Sequence, residues 1–208
     1  RARFETIWDD VALFVKYGSI SDSKFDELMK EYVLFRNSQE KLVTLHELRA
    51  SVPAAYAEKM KEKVLYFEKG KSDTVLRKRL AELGLESIET DEHIDPHYLQ
   101  HLEAHGLSKD AEGKEERAQF TTVDAAYADI LGTEATTEAD VKAREIFQKV
   151  LGEGRNVEEF AVDIAKVKDS PLPAYVKVDE SSKRFAKMAQ AMGGGFSMPV
   201  KKTLMLTP

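Results

Sequence analysis

Apolar residues recur at helical spacing from the start of the chain. Phe4, Ile7, Trp8, Val11 and either Phe14 or Val15 share one face, which predicts an amphipathic helix that Gly18 ends. A second helix is predicted in "SISDSKFDELMKEYVLFR", with Ser21 or Asp22 as its cap and Phe25, Leu28, Met29 and Tyr32 turned inward. "TLHE" (44–47) has the form of a capping box, in which the Thr hydroxyl and the Glu carboxylate satisfy each other's backbone donors. It starts a short helix that ends before Pro53.

From Lys63 the period changes. "KVLYF" (63–67) suits a buried strand. "KSDTVLRKRLAELG" then reads as a helix capped by Ser72 or Asp73, with Val75, Leu76, Leu80 and Leu83 inward and Gly84 just past its end. "LESIET" reads as a strand, "DPHYLQHLEAHG" as a helix and "AQFTTVD" as a strand, with the polar "SKDAEGKEER" as a surface loop. Strands and helices alternating on short connections imply a small parallel sheet with right-handed crossovers.

The pattern changes again near "AYADILGTEATTEAD". "TEADVKAREIFQKVLGEG" is a helix with Ala143, Ile146, Phe147, Val150 and Leu151 on one face. "VEEFAVDIAKV" alternates with Phe160, Val162 and Ile164 inward, "SPLP" turns the chain, and "AYVKV" forms the next strand. The helix "SSKRFAKMAQAMGGG" and the strand "VKKTLMLTP" follow. The predicted fold class is α/β followed by α+β: a helical segment, a small parallel-sheet α/β unit, then a helix-strand-strand-helix-strand unit. The domains expected are 1–124, with helices over 1–62 and the α/β subdomain over 63–124, and 125–208.

Composition narrows the function classes. A net charge of -6 over 208 residues argues against nucleic acid, which needs a basic stripe to neutralise phosphates. No apolar run approaches the ~18 residues of a membrane span. With no cysteine there is no disulfide, thiolate metal site or thiol nucleophile. The first residue is not Met and the last residues form an apolar strand, so the chain is expected to be a piece of a longer protein.

The turn after Phe67, "EKGKSD", matches neither a dinucleotide fingerprint nor a phosphate loop, and no G-x-S-x-G or H-E-x-x-H occurs. Four of the five histidines stand four apart at His93, His97, His101 and His105. Asp95 as N-cap, Pro96 at the first helical position, Gly106 as stop and an Ile94–Leu99 staple predict a helix over 96–105. Its buried face is Tyr98, Leu99 and Leu102, with His97, His101 and His105 as an adjacent exposed stripe. A dedicated metal site also needs a carboxylate or thiolate and groups to orient the rings, which the spacing does not supply. Near the end, Phe185, Met188, Ala189 and Met192 recur at helical spacing, followed by Phe196 and Met198. That face either packs on the sheet or is an adaptable apolar surface, a use to which methionine is suited.

In order, "RFETIWDDVALFVKYGSISDSKFDEL", "VLFRNSQEKLVTLHEL", "KVLYF", "HIDPHYLQHLE" and "FTTVD" resemble the later middle domain of the bacterial HtpG family of ninety-kilodalton heat-shock chaperones. "YVKVDESSKRFAKMAQAMGGGFSMPVKKTLMLTP" is similar to the first half of that family's C-terminal domain. The resemblance implies an ATP-driven, dimeric, cytoplasmic chaperone that remodels unfolded or partly folded client proteins, with ATP and Mg as cofactors. It also implies that the ATP-binding domain, the arginine-supplying segment and the dimer-forming helices lie outside this chain. The chain alone is then expected to be a client-binding fragment, not an enzyme, with no cofactor, no metal, no nucleic acid and no membrane partner. Client contact is implied at the start of the histidine helix, at Pro96, His97 and Gln100. It is implied too on the later helix at Phe185, Met188 and Ala189, a face that Met192 continues. The alternative is a small metal-binding module or metal-dependent enzyme built on the 93–105 histidine ladder.

Overall fold

In the computed structural model the first apolar stripe forms α1 (Ala2–Ser21), which buries Trp8 and packs Phe4, Val11 and Val15 against the core. The structure describes residues 1–70, 74–91, 93–108, 116–132, 134–154, 159–167, 170–191 and 199–208, without the side chains of 74 and 187–191. Within these the chain divides into two units, Arg1–Val123 and Asp124–Pro208.

In the first unit, Gly18 lies inside α1 and does not end it. A Cβ there would stand 2.9 Å from the ring of Phe25, so the missing side chain lets that ring approach. The helix ends at Asp22, whose carboxylate accepts from the backbone N–H groups of Lys24 and Phe25 and so caps α2 (Ser23–Met29). Here α2 is shorter than its periodicity predicts. A 3-10 turn, Lys30–Tyr32, follows it, and Leu28 and Tyr32 are exposed, not inward. Val33, Leu34 and Phe35 are consecutive and all buried, which extended backbone permits and a one-sided helix does not. The strand β1 (Phe35–Arg36) pairs antiparallel with β2 (Leu42–Val43). The expected capping box between Thr44 and Glu47 starts α3 (Leu45–Ala50), and a short α4 (Ala57–Met60) follows.

The parallel sheet is as predicted. β3 (Lys63–Glu68) is central, with β4 (Ile88–Thr90) and β5 (Gln119–Thr122) on either side, both parallel to it. Val64, Leu65, Tyr66 and Phe67 are all buried, the unbroken apolar run of a strand covered on both faces. Between β3 and β4, α5 (Thr74–Glu82) buries Leu76 and Leu80, while Val75, expected inward, is exposed. Gly84 ends this turn at φ +77°, where a Cβ would also stand 2.8 Å from Pro53. The histidine helix is α6 (Asp95–His105).

The second unit opens with α7 (Val123–Leu131), so the stretch "AYADILGTEATTEAD", near which the pattern changes, is helical as far as Leu131. Ala126, Tyr127 and Ile130 are its buried residues. Then come α8 (Glu138–Gly152), β6 (Phe160–Ile164), β7 (Ala174–Val178), α9 (Glu180–Ala191) and β8 (Lys202–Leu206). The sheet order is β6-β8-β7, with β8 parallel to β6 and antiparallel to β7. Tyr127 and Tyr175 meet edge to face at 5.4 Å beneath it. The architecture is α/β followed by α+β.

Candidate functional site

The histidine helix is set by its charges as much as by its apolar face. Asp95 does not cap α6. It is buried and paired with the equally buried Lys16 of α1, and it accepts from the backbone N–H of Asp91 at 2.9 Å. The helix has no side-chain cap; in the turn ahead of it the Asp91 carboxylate accepts from the N–H groups of His93 and Ile94. Lys16 also stands 4.8 Å above the ring of Phe35, which stacks on Tyr98. Tyr98, Leu99 and Leu102 are buried, as the wheel predicts.

The exposed histidine stripe is only partly real. His97 and Gln100 face solvent, and so does His93 ahead of the helix. His101 does not. Its side chain is 12% exposed, its Nε2 lies 3.2 Å from the carboxylate of buried Asp26 on α2, and its ring is sandwiched between Tyr98 and His105. His105 stacks on it at 4.4 Å and donates from Nδ1 to the His101 carbonyl. Burial, and after it the charge of Asp26, pushes the Tyr98 phenol well above its ordinary value. The wheel does not show this because the contact comes from Asp26 on α2, and a single-helix periodicity carries no record of its neighbours. Among the described residues, no group of three or more His, Cys, Asp or Glu side chains is placed to hold a metal ion.

The other predicted residues stand on α9 of the second unit. Phe185 is 52% exposed. The side chains of Met188 and Ala189 lie outside the described residues, and Met192 lies outside them altogether. The helix start is fixed by Asp179, whose carboxylate accepts from the Ser182 N–H at 2.8 Å and the Ser181 hydroxyl at 2.7 Å. These bonds, the backbone one first, hold its carboxyl below the usual range. His97 and Gln100 therefore belong to one unit and Phe185 to the other.

Two further surfaces were not found from sequence. A groove of about 870 Å³ opens in the first unit over Phe4, Met29, Leu34, Leu45 and Leu107. The Arg1–Glu47 pair stands at its edge, and the hydrogen bond from Arg1 holds the Glu47 carboxyl below the usual range. Its lining comes from segments far apart in sequence, so only tertiary structure assembles it. The second surface is α8. Its apolar residues share one face as predicted, and that face is exposed: Ile146 is 62% exposed and Val150 65%, with Phe147 and Leu151 also exposed. Polar residues face the sheet instead: the Gln148 side-chain carbonyl accepts from the Val162 N–H at 2.7 Å, and Asp140 pairs with Lys166 at 3.2 Å. No described helix is long and apolar enough to cross a membrane.

No family model matches the chain. It is similar to the chaperone protein HtpG of Bacteroides fragilis (strain 638R), at 23% identity over 202 residues, covering 93% of this chain and 28% of that protein. It is similar also to the chaperone protein HtpG of Porphyromonas gingivalis (strain ATCC 33277), at 30% identity over 125 residues, covering 60% of this chain and 17% of that protein. The chain thus spans between about a sixth and about a quarter of the length of these relatives. The likeness to HtpG chaperones read from the sequence blocks is also what these comparisons return.

Proposed function

We propose, from that likeness to HtpG chaperones, that this chain is the client-binding part of an ATP-dependent, dimeric molecular chaperone of the cytoplasm. The observation that carries the proposal is the match to named chaperones over 93% of the chain. The fold supports it. Each unit presents side chains on a helix anchored at its base: His97 and Gln100 on α6, held by the Asp95–Lys16 pair, and Phe185 on α9, held by Asp179. An unfolded client exposes apolar segments of varied sequence, and burying one such side chain is worth about 1.5–3 kcal/mol. Amphipathic rings and half-exposed apolar groups on a fixed helix suit contacts of that kind. In this proposal ATP and Mg are bound by parts of the protein other than these residues, and no metal is assigned to the histidines.

The test is suppression of aggregation. A chemically denatured globular protein is diluted into buffer with and without the chain, and light scattering is followed. The unaltered chain should lower the scattering at stoichiometric concentration. Phe185→Ser, and separately His97→Ala with Gln100→Ala, should weaken the effect severalfold while thermal unfolding is unchanged. A chain that suppresses nothing, or variants that suppress as well as the parent, would remove the client-binding assignment.

A further inference from the structure

The two edges of the second unit's sheet differ in how their backbone groups are used. In the order β6-β8-β7 the outer strands are β6 and β7. On β6, the Val162 N–H goes to the Gln148 side chain and the Ile164 N–H to the Asp163 carboxylate, so that edge is engaged. On β7, the pairing with β8 decides which groups are left. Asp179 donates to the Lys201 carbonyl, and the Pro173 carbonyl accepts from Thr207. By alternation, Tyr175 and Lys177 are then the residues bonded to β8, and Ala174, Val176 and Val178 turn their N–H and C=O groups to the open side. Among the described residues only the Val178 N–H finds a partner there, the Asp124 carboxylate at 2.8 Å. At the other end the Ser170 hydroxyl accepts from the Leu172 N–H and donates to the Leu172 carbonyl. The open edge is thus a short window between Ser170 and Asp124, holding the N–H and C=O groups of Ala174 and Val176.

The side chains beside the window are apolar. Val162, Leu204 and Val176 are cross-strand partners and form one row over the sheet. Val162 is buried, Leu204 half-buried and Val176 47% exposed, so the row lies open where it reaches the edge. A helix uses its backbone groups internally, whereas an extended backbone presents donors and acceptors at the spacing of this edge. We propose that β7 binds a short extended segment of an unfolded client as a fourth strand, with an apolar client residue beside Val176. The inference rests on the client-binding reading for the source of the segment, and adds a backbone contact to the side-chain contacts of α6 and α9. A second copy of β7 fits the window less well. Paired antiparallel about Val176, it sets the Ala174 carbonyl against a Val178 N–H that Asp124 already holds. Paired about Tyr175, it sets Ala174 beside Val176 and ends the apolar row on a methyl group. A client segment has no fixed register and can slide until an apolar residue meets Val176.

The experiment uses the intact chain and a fluorescent peptide of alternating valine and threonine, with the same peptide methylated at its backbone nitrogens as control. The first should bind by anisotropy and the second at least tenfold more weakly, because methylation removes the donors and keeps the side chains. Val176→Pro deletes the outward N–H without touching the bonds to β8, and proline is tolerated on an edge strand. It should abolish peptide binding and leave the unfolding temperature unchanged. Val176→Lys keeps the N–H; it should weaken the valine peptide severalfold and favour a peptide with glutamate in place of valine. Equal binding of the methylated and unmethylated peptides, binding of neither, or full binding by Val176→Pro would overturn the proposal. If Val176→Pro lowers the unfolding temperature, the methylated peptide and Val176→Lys decide in its place. A chain that sediments as a dimer, and as a monomer once Val176→Pro is made, would overturn it by giving the edge to a second copy. The aggregation assay separates the two readings. Suppression without peptide binding strikes the edge site and leaves client binding standing, whereas peptide binding without suppression removes the client as occupant and overturns the proposal from the other side.

Discussion

The pair formed by Lys16 and Asp95 gives the sharpest test of how α1 and α6 are held together. Both side chains are almost wholly buried, at 8% and 5% exposure. Without Lys16, the Asp95 carboxylate keeps, among the described residues, only the hydrogen bond from the Asp91 N–H. Removing one partner of a buried pair typically costs about 3–5 kcal/mol, because the charge that remains is neither solvated nor neutralised. Lys16→Met keeps the stem volume and should therefore cost a value in that range. Asp95→Asn should cost less, by up to about 2 kcal/mol, because the Lys16 ammonium keeps its place over the Phe35 ring and the amide can still accept from Asp91. The double variant removes both charges and should recover most of the larger loss, giving a coupling of about 2–3 kcal/mol. Urea unfolding followed by tryptophan fluorescence reads this directly. Trp8 is the chain's one tryptophan and is buried in the same core, so the signal reports the first unit. Single variants that each cost under about 1 kcal/mol, or a double variant whose loss equals the sum of the singles, would refute the account.

Two further outcomes follow from the second unit. Because hydrogen bonds hold the Asp179 carboxyl below its unfolded value, its contribution is present above the ordinary carboxylate range and lost as pH falls through the lower folded value. Asp179→Ala should thus destabilise the unit by about 0.5–2 kcal/mol at neutral pH, the usual loss for a helix cap, with the difference from the parent vanishing in strong acid; a pH-independent difference would disprove the cap. On α8 the usual expectation for a helix is inverted: Gln148→Leu, polar to apolar, should lower stability by about 1 kcal/mol through the lost Val162 bond, while Ile146→Ser changes it by less than about 0.5. Equilibrium unfolding followed by circular dichroism compares the two, and a larger loss from Ile146→Ser would reverse the assignment of inner and outer faces.

What could be read in advance was local chemistry repeated at short range. The Thr44–Glu47 capping box needs only four residues to specify it, and the sheet strand "KVLYF" is recognisable because unbroken apolar runs belong to strands covered on both sides. The α/β then α+β order emerged from the same short signals. The errors share another cause. Gly18 was read as a helix stop because glycine commonly is one, yet here it serves a contact with Phe25 seven residues on. Asp95 sits where an N-cap belongs, yet a lysine 79 residues away claims it and the helix goes without a side-chain cap. His101 has the periodicity of the exposed stripe, but Asp26 on another helix takes it in.

The face of α8 carries this reasoning one step further. Periodicity identifies its apolar residues, but it does not say which way the apolar stripe turns. In the order β6-β8-β7, β6 is an edge strand, and such a strand has backbone donors that no neighbouring strand takes up. A helix beside that edge stabilises the fold more by offering an acceptor than by offering a methyl group, and Gln148 does so for Val162. Once the polar side is committed to the edge, the helix geometry obliges Ile146 and Val150, roughly half a turn or more away, to face outward. The outward apolar face is thus a consequence of how the edge is satisfied.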